Sequence, residues 1–207
     1  TASTIALRSG AATKRADGPL PPRRDTIRAM ATPEQIRELT EKMTEERDGL
    51  LALLGGIDEE RAEERPPEGD GEDGWSVKEQ LSHLASMETS YRAWVQRALV
   101  EDNPDLRGTT ADPTAYSLEQ AHDATVSQHS DELKRLRAET LEIIAGIAPD
   151  DFERTATQQM FGELTVMQWL RSYYRHDRMH HAQIEGRSSD YQPRFLSGEE
   201  PDQRRRG

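Results

Sequence analysis

Between His122 and Ile147 the side chains His122, Val126, His129, Leu133, Leu136, Thr140, Ile143 and Ile147 recur at alternating steps of four and three. That spacing brings one stripe of a helix back to the same side every seven residues. A helix so patterned needs other helices to cover it. Ser117-Leu118-Glu119-Gln120 reads as a capping box, in which the Ser and Gln side chains satisfy free backbone N–H groups at a helix start. A helix opening there and running to about Ile147 is expected.

Three further segments carry the same kind of pattern. Thr32 as N-cap and Pro33 at the first helical position open a helix that ends near Gly55-Gly56. Its face is Ile36, Leu39, Met43, Leu50, Leu53, Leu54 and Ile57. Ser76-Val77-Lys78-Glu79 is a second capping box and starts a helix to about Val100, with Val77, Leu81, Leu84, Tyr91, Val95 and Ala98 along one side. Thr165-Val166-Met167-Gln168 caps the last helix, whose stripe is Val166, Trp169, Leu170, Tyr173, His176, His180 and Ile184. The segment 150–164 is expected to be irregular or a short hairpin, and no strand pattern competes with the helices. The expected fold class is all-α, a four-helix bundle.

A hydrophobic fraction of 33% against 32% charged residues is too polar for all 207 residues to be packed. The expected division is a disordered leader over 1–31, the bundle over 32–186 and a polar tail over 187–207. The leader clusters Pro19, Pro21 and Pro22 and lacks hydrophobic periodicity. Its Arg-rich, acid-poor character also suits a transit peptide, while the simpler expectation is that Met30 is the true start. Within the tail, Tyr191, Phe195 and Leu196 are candidates to pack on the body.

The net charge is −12, and residues 1–30 contribute six basic side chains against Asp17 and Asp25, leaving about −16 on the rest. Such a body repels phosphate backbones, so no nucleic-acid partner is expected. No stretch approaches the roughly 18 to 20 apolar residues of a membrane span. The absence of cysteine excludes disulfides, thiolate metal sites and cysteine nucleophiles, and is compatible with a cytoplasmic location.

Any metal must therefore be held by nitrogen and oxygen. His176 and His180 lie four apart on the last helix, about 40° apart in projection, so two imidazoles can share one ion. Asp177 follows the first His, and no Glu occupies the general-base position of an H-E-x-x-H protease. The pair alone is a weak signal. His83, two turns into the second helix, supplies a third candidate. Three imidazoles from two helices leave open coordination positions, the arrangement of a catalytic site. The other reading is three hydrogen-bonded core histidines, each of which must find a partner or be desolvated at a cost.

Gly74-Trp75-Ser76-Val77-Lys78-Glu79-Gln80-Leu81-Ser82-His83-Leu84 resembles the second-helix motif of the DinB-like superfamily. Leu164-Thr165-Val166 with His176-Asp177-Arg178-Met179-His180-His181-Ala182-Gln183-Ile184 resembles its fourth-helix motif. The resemblance spans roughly residues 33–186. It implies a four-helix bundle with a three-histidine metal site, carried onto His83, His176 and His180. The superfamily is similar to bacillithiol S-transferases and mycothiol-dependent maleylpyruvate isomerases, in which a metal activates a low-molecular-weight thiol; other members are described as metal-dependent hydrolases. Its name refers to DNA damage and gives no warrant for DNA binding.

Other polar residues admit simpler roles. His181 points about 100° from His180 and reads as a flanking group. His129 could line the cavity, although packing is the simpler account for it and for His122. Glu88, one turn from Leu84, could act as base or acceptor, with solvation on the helix surface as the simpler account. Asp177 could orient a ligand or cap an Arg. Trp75, Trp94 and Trp169 read as core and cap anchors.

The function expected is metal-assisted activation of a low-molecular-weight thiol or water for attack on a small electrophilic molecule, by an S-transferase or hydrolase. The alternative is a non-catalytic metal or small-ligand binding stress protein. Zinc is the expected ion by availability, and nickel, iron or manganese would also suit three nitrogens. A homodimer through exposed helix faces is a further expectation.

Overall fold

The structure is a computed structural model and describes residues 30–67 and 71–191. The expectations of a disordered leader, and of Phe195 and Leu196 packing on the body, lie outside those residues. Four long helices dominate: α1 (Pro33–Leu54), α3 (Val77–Val100), α4 (Val126–Ala145) and α5 (Val166–Ile184). A one-turn helix, α2 (Glu59–Glu63), follows α1, and a hairpin of β1 (Thr155–Gln158) and β2 (Gly162–Thr165) precedes α5. Helix α1 packs on α4 and α5, and α3 packs on the same two, so α1 and α3 stand at opposite corners of a four-helix bundle. Among the described residues no helix is long and apolar enough to cross a membrane.

Each long helix starts at a reciprocal capping box. Thr32 with Gln35, Ser76 with Glu79, Thr125 with Gln128 and Thr165 with Gln168 exchange side-chain and backbone hydrogen bonds, satisfying donors that a helix start leaves free. The box at Thr125 corrects the expected start of the third helix. Ser117–Gln120 closes only a 3-10 turn, Leu118–Asp123, after which Ala124 is extended (φ −105°, ψ 151°) and the chain is capped a second time. A second S/T-x-x-Q box lies immediately before Val126, and buried Ala121 and Ala124 pin the turn to the body. His122 is thus off the α4 seam, its Nε2 3.5 Å from Ser76 Oγ. The seam also drifts, so that Ile144 rather than Ile143 is fully buried, as a straight helix departs from a seven-residue repeat.

Of the two readings of 150–164, a hairpin is found, pairing Thr155 with Thr165 and Gln158 with Gly162. Gly162 adopts φ +76° at the turn, a conformation costly for other residues. Val166 N–H donates to Arg154 O at 2.8 Å, which joins the hairpin to the first turn of α5.

Two apolar clusters fill the bundle. One gathers Leu39, Met43, Tyr91, Val95, Ile144, Phe152, Trp169 and Tyr173; the other gathers Leu50, Leu54, Leu81, Leu84, Leu133, Leu136 and Ile184. Each helix changes from one cluster to the other across a charged residue: Arg47 on α1, Glu88 on α3, Arg137 on α4 and Asp177 on α5. All four are at most 3% exposed. Glu88 is therefore not a solvated surface group. Its carboxylate accepts from Arg47 Nη2 (2.7 Å), Arg137 Nε and Nη2 (both 2.9 Å) and Thr140 Oγ1 (2.8 Å). Asp177 accepts from Arg47 Nε (3.0 Å) and Nη2 (2.9 Å) and from Arg137 Nη2 (2.9 Å). The guanidinium groups also donate to the carbonyls of Leu133 and Met43. Two cations and two anions thus close a neutral layer, the condition under which buried charge is tolerated. Burial alone would raise the Glu88 carboxyl, but the guanidinium charges of Arg137 and Arg47 outweigh it and hold the group down at about 2.

Candidate metal centre

Beside this layer, α3 and α5 turn His83, His176 and His180 toward one another. His176 and His180 share one face of α5 as their four-residue spacing dictates, and His83 meets them from α3. His176 Nε2 lies 3.2 Å from His83 Nε2 and 3.0 Å from His180 Nε2. His180 is fully buried, His176 is 7% exposed, and the His83 side chain retains 17% exposure.

A fourth group arrives from outside the bundle. Glu72, on the 3-10 turn Gly71–Gly74 before α3, places Oε1 3.5 Å from His83 Nε2. One ligand atom from each of Glu72, His83, His176 and His180 lies within 4.8 Å of all the others. Trp75 follows that turn and packs edge-on against His83, ring centroids 4.9 Å apart, so it walls the site as well as anchoring the cap. Tyr91 lies on the apolar side, 6.3 Å from the His176 ring, and burial pushes its phenol up, with the Glu72 charge acting in the same direction. Tyr191 is 5% exposed, so this first part of the expected tail does pack on the body.

All three rings are held neutral. Burial pushes His83 down to about 4 and, helped by the neighbouring His83, pushes His180 down to about 3. His176 is driven well below its ordinary value, first by burial and then by His180, His83 and Arg47. Neutral imidazoles carry the lone pairs that ligate metals. Three such nitrogens facing one point also repel, and at most one N–H can sit between any two of them. A divalent cation relieves both problems. Tetrahedral nitrogen ligands about 2.0–2.1 Å from zinc lie about 3.3–3.4 Å from one another, close to the spacing found here. The donor set therefore fits a metal.

The remaining candidates lie elsewhere. Asp177 is turned away from its neighbour His176 and committed to Arg47 and Arg137, so it offers no base to the cluster. His181 is turned toward α1, close over Gly49, with Nε2 3.6 Å from Glu185. His129 is wholly buried with Nε2 2.9 Å from Ala121 O, a packed residue rather than a cavity-lining one. Trp94 and Trp169 stack edge-on in the core, 5.2 Å apart.

The DinB superfamily profile matches residues 42–184. The chain belongs to the DinB superfamily. It is 28% identical over 144 residues to the uncharacterized protein YuaE of Bacillus subtilis strain 168, covering 63% of this chain and 85% of that protein. Among solved structures it is similar to YfiT of Bacillus subtilis, described as a probable metal-dependent hydrolase with an unusual four-helix bundle topology. That likeness has a TM-score of 0.60 at 19% identity, over 77% of this chain and 89% of YfiT. The Sibling Lethal Factor Precursor DfsB shares the fold at TM-score 0.52 and 13% identity, over 73% of this chain and 93% of that one.

Two groups near this DinB cluster escape a reading of the sequence for histidines. Glu72 is one acid in a run of acidic and glycine residues, and nothing in its spacing marks it out. Gln80 places Oε1 3.1 Å from His180 Nδ1; its position three before His83 on α3 is the signal that could have found it.

Proposed function

We propose that His83, His176 and His180 hold one divalent metal ion, and that the protein is an enzyme activating a thiol or water for attack on a small electrophilic substrate. The observation that carries this reading is the convergence of three neutral imidazole nitrogens, 3.0 and 3.2 Å from the central one, with the His83 side chain still 17% exposed. A divalent ion in that position supplies Lewis acidity, which lowers the pKa of a thiol or water in the open coordination position. The three imidazoles add no negative charge, so the site stays cationic and favours an anionic nucleophile. Glu72 stands beside His83 with its side chain 42% exposed, placed to take the proton the nucleophile loses. Trp75 and Tyr91 pack their rings against His83 and His176 and give the cluster apolar flanks. YfiT, described as a probable metal-dependent hydrolase, supports this chemistry by its likeness in fold. Zinc is the ion proposed.

Metal analysis of untagged protein tests the site. One equivalent of divalent metal is expected, and its loss in His180→Ala; a His180→Ala protein with undiminished metal would refute the assignment. Thiol conjugation and ester or amide hydrolysis are then assayed on metal-loaded protein and on Glu72→Gln. Turnover that falls in Glu72→Gln while metal content holds supports the enzyme. The absence of turnover in every assay would make the protein a metal-binding module.

A further inference from the structure

Gln80 is 3% exposed and sits on α3 one turn before His83, sharing no element with the histidine it touches. Its amide has two partners. Nε2 donates to the backbone carbonyl of Trp75 at 3.2 Å, and Oε1 lies 3.1 Å from His180 Nδ1. The first contact decides the second. A carbonyl can only accept, so the NH2 end of the amide must face Trp75, which leaves the acceptor-only oxygen toward the imidazole. Nδ1 of His180 must then be the protonated nitrogen, and its Nε2, 3.0 Å from His176 Nε2, carries the lone pair.

We infer that Gln80 is a positioning residue of the metal centre, holding His180 in the Nδ1–H form with Nε2 turned to the shared point. The inference rests on the metal site proposed above. It has a physical consequence in the protein without metal, because a neutral imidazole free in solution exchanges its proton between both nitrogens. Here one of the two arrangements would leave the Gln80 oxygen facing a lone pair in a dry interior. Trp75 links the device to His83: its carbonyl orients the Gln80 amide while its ring packs on His83, 4.9 Å between centroids. A single turn of backbone before α3 thus bears on ligands of both helices. Hydrogen-bond partners of this kind change metal affinity by roughly 10–100-fold when removed.

The test compares Gln80→Leu, Gln80→Glu and Gln183→Leu with the parent protein, each shown folded by circular dichroism, using zinc binding measured by competition with a chelator. Gln183, three residues along α5, also acts on the His180 ring and is the competing partner. Gln80→Leu is expected to lower zinc affinity by roughly 10–100-fold, and Gln80→Glu, which keeps an acceptor against Nδ1, to restore most of it. Nitrogen-15 NMR of metal-free protein at neutral pH is expected to assign the His180 proton to Nδ1 in the parent and to give a mixture of both forms in Gln80→Leu. Unchanged affinity and an unchanged proton position in Gln80→Leu overturn the inference, as does a loss confined to Gln183→Leu. Failure of the site itself is distinguishable: the parent would then bind no zinc, or His180→Ala would bind it as well as the parent.

Discussion

Glu88→Gln keeps the size of a side chain that accepts four hydrogen bonds in the interior, removes its charge and replaces one acceptor oxygen with an NH2 donor. The layer would then hold Arg47 and Arg137 against Asp177 alone, one uncompensated cation in a site at most 3% exposed. Two routes to the cost agree. A carboxyl held at about 2 instead of 4.5 has its ionised form stabilised by its surroundings by about 3 kcal/mol, at about 1.4 kcal/mol per tenfold change in equilibrium. Removing one partner of a buried ion pair costs about 3–5 kcal/mol in measured cases. A loss of about 3–4 kcal/mol is expected, which lowers the melting temperature by roughly 6–16 °C in a chain of this size.

Urea unfolding followed by tryptophan fluorescence measures this directly, provided the m value is unchanged. A second variant separates charge imbalance from lost hydrogen bonds. Glu88→Gln combined with Arg137→Met restores neutrality, leaving Arg47 with Asp177 at 2.9 Å. The double variant should therefore be clearly less destabilised than the two single effects added together. A Glu88→Gln protein within about 1 kcal/mol of the parent, or strictly additive single effects, would refute the closed charge layer.

The metal-free protein should lose stability as pH falls from 6.5. His83 and His180 titrate at about 4 and about 3 when folded, against 6.5 when unfolded, so the unfolded state takes up protons first. Stability is complete above 6.5 and declines by up to about 1.4 kcal/mol per pH unit for each histidine, down to its folded value. Glu88 adds its own loss only below 4.5, and a pH series of urea melts that is flat from 7 to 4.5 would contradict the buried neutral cluster. Thr125→Ala should cost about 1 kcal/mol because it uncaps the 20-residue α4, whereas Ser117→Ala, on a 3-10 turn, should cost a few tenths at most. Equal effects in thermal melts would reinstate Ser117 as the start of the helix.

How much of this was legible in the sequence depends on how local each cause is. Capping boxes and apolar periodicity are local, so α1, α3 and α5 could be bounded from their own residues. The same locality misled at Ser117, where two boxes of equal quality lie eight residues apart and only the packing of Ala121 and Ala124 decides between them. The pair His176 and His180 shares a face by helix geometry alone, whereas the approach of His83 requires the pairing of α3 with α5, which no local pattern encodes. The surface solvation expected of Glu88 fails for a related reason. The charged partners of Glu88, Arg47 and Arg137, are 41 and 49 positions away, and a charged residue on an apolar stripe does not disclose whether opposite charges await it.

The charge layer and the histidine cluster are two faces of one helix. Residues 176 and 177 are adjacent on α5 and so point about 100° apart. Asp177 is tied to Arg47 on α1 and Arg137 on α4, which fixes the rotation of α5 about its axis against both neighbours. With that rotation set, His176 and, one turn on, His180 can face only α3, where His83 and Gln80 wait. Apolar contacts alone tolerate small rotations of a helix, because one aliphatic group replaces another at little cost. Three charge-assisted hydrogen bonds to Asp177 do not, since each turns from favourable to unsatisfied over a fraction of an ångström. A centre whose nitrogens lie 3.0 and 3.2 Å apart needs that stricter constraint, which gives a physical reason for four charges to be buried beside it.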